Sequence, residues 1–132
     1  HWESLDAALA HFASKPVFAR WAPGVLRDYL EAGLVEDGQG LRLAFDRDIE
    51  SQIYDHLPHH IGRLLEERRP ACPIAFVGGS SSDEVRRVGM AATKHWTEGR
   101  IAWITGGHLF PMERPRECAD TVLELLERMP LR

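Results

Sequence analysis

The 132-residue chain is long enough for one domain with a sizeable core. Its 44% hydrophobic and 27% charged residues are those of an ordinary globular protein, and a net charge of -4 with scattered basic residues argues against a nucleic-acid partner. No apolar run approaches a membrane span and no signal peptide is visible, so no membrane partner is expected.

Two cysteines, Cys72 and Cys118, form no CxxC motif and read as buried free thiols suited to a reducing, cytoplasmic compartment. The chain opens on His1-Trp2-Glu3 rather than methionine, as a processed product or a piece of a longer protein would.

In chain order, residues 3–14 read as a helix that Ser4 can cap, with Leu5, Ala8, Leu9 and Phe12 on one face. Lys15-Pro16 ends it, and Phe18 and Trp21 lie in a short connection. Ala22-Pro23-Gly24 restarts a helix whose apolar face is Val25, Leu26, Tyr29 and Leu30, with Gly33 as its stop. After a turn at 36–40, Leu41 to Phe45 alternates as a half-exposed strand does. Asp46 can cap a further helix with Ile49, Ile53 and Leu57 at a spacing of four. Pro58-His59-His60 breaks it, and Ile61, Leu64 and Leu65 suggest another short helix. His56, His59 and His60 lack the HExxH spacing and read as exposed helix-end histidines, so neither metal nor cofactor is expected.

The pattern changes after residue 69. Ile74-Ala75-Phe76-Val77, ended by Gly78-Gly79, is a continuous apolar run of the kind buried on both faces of a parallel sheet. A serine loop follows, and Asp83 or a neighbouring serine can cap a helix reaching about His95. Arg100 to Thr105 reads as a second buried strand. It leads into Gly106-Gly107-His108, a sharp glycine turn with a histidine at a strand end, where α/β folds place their chemistry. The last helix is expected over Pro115 to Met129, with Ala119, Val122, Leu123 and Leu126 facing inward. Strand, helix, strand, helix predicts an α/β fold with a parallel sheet. Two strands do not make a stable one, so this segment reads as the edge of a larger sheet.

These pieces resemble the C-terminal half of an α/β-hydrolase. Cys72 to Asp83 looks like the strand and loop that carry that family's catalytic acid. Ile101 to Pro115, with His-Leu-Phe-Pro-Met-Glu-Arg-Pro at its end, looks like the strand and loop that carry its histidine. Residues 1–69 resemble the helical cap, or lid, and residues 70–132 the C-terminal part of the core. The nucleophile elbow Gly-x-Ser-x-Gly, or its Asp variant, does not occur in this sequence.

The resemblance implies a hydrolase acting on a small ester or related acyl substrate through a nucleophile–His–acid triad. His108 would be the base and Asp83 the acid that holds its tautomer. For Asp83 a plain helix cap is the competing role. Phe18, Trp21 and Phe45 either line a substrate pocket under the cap or pack as core, and Tyr29 and Tyr54 either bind the substrate, as cap tyrosines that activate a ring oxygen do in epoxide hydrolases, or pack. The partner implied is the missing N-terminal half of the fold, or another copy of the chain. The chain alone is expected to be inactive, and unstable or oligomeric. The alternatives are an epoxide hydrolase or haloalkane dehalogenase-like enzyme with an Asp nucleophile, and a non-catalytic hydrolase-like ligand-binding protein.

Overall fold

A computed structural model describes residues 1–56, 62–63 and 70–129. The chain forms two compact units, His1–His59 and His60–Arg132. The expected division at 69/70 and most of the short helix expected around Ile61, Leu64 and Leu65 lie outside the described residues, as do Leu57, His59 and His60.

The first unit is built on two helices and a hairpin. Helix α1 spans Leu5–Ala13, and the Ser4 side chain accepts the Ala7 N–H at 3.2 Å to cap it. Helix α2 spans Val25–Gly33. The two close on Ala8, Phe12 and Leu30, with Trp2, Leu5, Leu9, Phe18, Leu26, Leu34 and Leu43 packed around them. Ala8 and Leu30 are fully buried, the outcome expected of apolar residues three and four apart on facing helices.

The Gly33 stop does not open a loop. The chain passes directly into strand β1 (Leu34–Glu36), which pairs antiparallel with β2 (Leu41–Leu43). Only β2 is signalled by alternation; three residues are too few for β1 to show a period. Trp2 adds an isolated bridge to Leu41, with backbone bonds of 2.9 and 2.8 Å. Helix α3 (Arg47–Asp55) is capped by Asp46, which accepts from Asp48 N at 2.8 Å and Ile49 N at 3.4 Å. Its Ile49, Ile53 and Tyr54 are exposed.

The second unit carries a two-stranded parallel sheet among the described residues. Strand β3 (Phe76–Gly79) pairs with β4 (Ile101–Ile104) in the register Phe76↔Ile101 to Gly79↔Ile104. The glycines thus belong to the strand rather than ending it. A Cβ on Gly79 would overlap the Gly107 carbonyl oxygen and lie 2.8 Å from that of Gly106. Only glycine lets the end of β3 meet the turn that follows β4.

The single helix expected to reach about His95 is two: α4 (Asp83–Val88) and α5 (Ala91–Thr97). Gly89, at φ +79°, breaks them apart. A short α6 (Phe110–Glu113) precedes α7 (Pro115–Glu127), whose start at Pro115 agrees with the sequence.

Three expectations about burial are corrected. Trp103, in a strand expected to be buried on both faces, is half-exposed. Helix α7 turns Cys118, Thr121, Leu125 and the following Met129 inward, while Ala119, Val122, Leu123 and Leu126 are exposed. Both follow from width, since two strands are too narrow to cover an apolar arc. Cys72, expected to be buried, is exposed in the irregular connection before β3; both cysteines are free thiols. No helix among the described residues is long and apolar enough to cross a membrane.

Candidate active site

Parallel pairing sends β3 and β4 out of the sheet at the same end, so their following loops meet. Backbone bonds tie them there: Ser80 N donates to Ile104 O at 2.9 Å and Ser81 N to Gly106 O at 3.0 Å. The Ser81 hydroxyl adds a 2.7 Å bond to the same Gly106 carbonyl. This clamp sets His108, two residues beyond Gly106, against the start of α4.

Three side chains converge there. Ser82, only 2% exposed, is the N-cap of α4 and accepts the Val85 N–H at 3.3 Å. Its hydroxyl donates to Glu84 Oε2 at 3.0 Å and lies 3.4 Å from His108 Nδ1. Glu84 Oε2 is 3.7 Å from the same nitrogen, close enough for an ion pair but long for a hydrogen bond. The His108 and Glu84 side chains are more than half exposed, so their mutual attraction is solvent-screened. The Glu84 carboxyl is held below its ordinary range, first by its own backbone N–H and then by the Ser82 hydroxyl. The charges of His108 and Arg87 add to this against a desolvation effect of opposite sign.

Asp83, the acid expected from the sequence, is not brought to His108. Because Ser82 takes the cap, Asp83 is the first helical residue, and its carboxylate pairs with Arg86 one turn on. The neighbouring Glu84 faces the histidine instead. The sequence reading placed the acid on Asp83 and not on Glu84. The available signal was the S-x-E spacing of Ser82 and Glu84, which lets the cap hydroxyl hold the carboxylate.

The geometry also weighs against Ser82 as a nucleophile. Its hydroxyl is buried and engaged on both sides, whereas an attacking hydroxyl must reach substrate.

In the first unit, Phe18, Trp21 and Tyr29 gather into one aromatic group. Ring centroids lie 4.8 Å apart for Phe18–Trp21, 5.4 Å for Trp21–Tyr29 and 6.4 Å for Phe18–Tyr29. Phe18 meets the core ring of Phe12 edge-on at 5.3 Å, so the group extends the core. The Trp21 Nε1 is buried with no hydrogen-bond partner among the described residues. Tyr54 and Phe45 are exposed. The Nδ1 of His56 lies 2.8 Å from Gln52 O, one turn back on its own helix. No group of three metal-ligating side chains occurs among the described residues.

No protein-family model matches the chain, and no curated protein matches it. Among solved structures it is similar to an E-2-(acetamidomethylene)succinate hydrolase, with a TM-score of 0.78 and 18% sequence identity. The likeness covers 96% of this chain and 46% of the other, so the chain spans about half the length of that enzyme. At this identity the likeness shows the fold: the chain has a partial α/β-hydrolase fold.

Proposed function

We propose that this chain supplies the acid–base side of an α/β-hydrolase that cleaves a small ester or related acyl substrate. A nucleophile from outside the chain would attack the substrate. His108 takes the nucleophile's proton and returns it to the leaving group, while a carboxylate of the turn after β3 stabilises the imidazolium. The observation that carries the reading is the meeting of two strand-end loops that sets an exposed imidazole beside a carboxylate held in its ionised form. Of the two candidate carboxylates, Glu84 is the better placed, because Asp83 is engaged by Arg86. Without the nucleophile, the chain alone is inactive.

The test restores an upstream half bearing the nucleophile and measures p-nitrophenyl ester turnover. His108→Ala should lower kcat by about 10²–10⁴-fold, the usual worth of a positioned general base. Glu84→Gln should cost more than Asp83→Asn. Undiminished turnover in His108→Ala would sink the assignment, and the opposite order of the two acid variants would return the acid's role to Asp83. The same reading gives Phe18, Trp21, Tyr29 and Tyr54 a substrate-binding role. Tyr29→Phe and Tyr54→Phe would reveal it as a raised KM.

A further inference from the structure

Ser82 makes more contacts than a helix cap needs. Capping uses one lone pair of its Oγ, which accepts the Val85 N–H. A hydroxyl has one proton and two lone pairs. The proton goes to Glu84 Oε2 at 3.0 Å, the nearest anionic acceptor. What remains toward His108 Nδ1, 3.4 Å away, is the second lone pair. Only a protonated Nδ1 can satisfy it. An unprotonated Nδ1 would set two lone pairs against each other, or draw the hydroxyl proton away from an ionised carboxylate. The carboxylate itself is 3.7 Å from Nδ1, so the hydroxyl is the closer contact. Burial of Ser82 at 2% exposure keeps water from replacing these bonds.

We propose that Ser82 is a positioning residue that links Glu84 to His108 and holds the imidazole in its Nδ1–H tautomer, with the Nε2 lone pair left free to act as the base. The proposal rests on the reading of His108 as a general base, and it assigns the tautomer-fixing role to a serine bridge rather than to direct carboxylate contact. Ser82 acts through the ring it orients.

The tautomer can be read without turnover, so the bridge and the hydrolase reading fail separately. The measurement is a two-bond ¹H–¹⁵N correlation spectrum of the ¹⁵N-labelled 132-residue chain, at a pH where the ring is neutral. His108 signals are assigned by their loss in His108→Gln. The wild-type ring should show a protonated Nδ1 and an unprotonated Nε2. Ser82→Ala should lower the Nδ1–H to Nε2–H ratio roughly two- to tenfold, the worth of one hydrogen bond. Ser82→Thr, which keeps the hydroxyl and the cap, should preserve the wild-type ratio. Should Ser82→Ala fail to fold, as its amide spectrum would show, Glu84→Met serves in its place. That variant leaves the cap intact, removes the oxygen that accepts the Ser82 proton and should lower the ratio. A wild-type ring protonated on Nε2 would overturn the proposal. So would a ratio unchanged in Ser82→Ala, or in Glu84→Met where that variant stands in.

Discussion

Gly79→Ala should open the site without touching any of its polar side chains. The added Cβ would overlap Gly107 O and stand 2.8 Å from both Gly106 O and Gly107 C. All three are backbone atoms, so no side chain can swing away to make room. Relief requires the turn after β4 to move away from β3 by about an ångström. That turn is tied down by the Ser80 N–Ile104 O, Ser81 N–Gly106 O and Ser81 Oγ–Gly106 O bonds. Overpacking costs about 1–3 kcal/mol, and each bond stretched away costs about 1 kcal/mol more. With even one of these bonds lost, a total of about 3 kcal/mol raises the local opening equilibrium roughly a hundredfold. Hydrogen–deuterium exchange of peptides spanning 76–82 and 101–107 measures it directly. The control is Gly33→Ala at the end of α2, where no atom lies within 4 Å of the new Cβ and φ is ordinary. It should be neutral or stabilising by about 0.4–1 kcal/mol. Unchanged protection of the β3 and β4 peptides in Gly79→Ala would refute the close-approach argument.

Other substitutions probe the remaining elements. Leu30→Ala removes a fully buried side chain from the α1–α2 core and should cost about 2–5 kcal/mol by urea unfolding, whereas Ile53→Ala on exposed α3 should stay within about 0.5 kcal/mol. Asp46→Ala deletes the α3 cap and should lower that helix's stability by about 1 kcal/mol, read as faster amide exchange over 47–55. For Glu84 the folded state holds the carboxyl below its ordinary value of 4.5. Its contribution to stability is therefore complete above that value and lost as pH falls through the lower, folded one. Wild type should accordingly lose its advantage over Glu84→Gln as pH falls below 4.5 in urea titrations. A difference that does not shrink on acidification would contradict this.

Much of the fold was legible because its signals are local. Ser4 and Asp46 cap the helices expected of them, since an N-cap is a short-range bond between a side chain and the next turn. The run around Phe76 and Val77 and the run Ile101 to Ile104 are strands, because continuous apolar residues followed by glycine have few other uses. Strand β1 was hidden by its brevity, and the break at Gly89 by the good helix formers on either side. The inward face of α7 could not be read from periodicity alone. The helix is apolar along more than one line, and the sheet it lies against decides which line is covered.

The site was half legible, and the missing half turns on one residue of helix register. Ser80, Ser81, Ser82 and Asp83 can all serve as N-caps by residue type. Each choice rotates the following side chains by about 100° about the helix axis. With Asp83 as the cap, its own carboxylate would be spent on backbone N–H groups. With Ser82 as the cap, Asp83 moves to the first helical position and meets Arg86, and Glu84 moves to the second and meets His108. What selects Ser82 lies far away in sequence: the bonds from Ser80 and Ser81 to Ile104 and Gly106 fix where the loop ends and the helix begins. The pairing of β3 with β4 thus decides which carboxylate meets the histidine. The glycine contact between Gly79 and Gly107 therefore belongs to the chemistry of the site as much as to its stability.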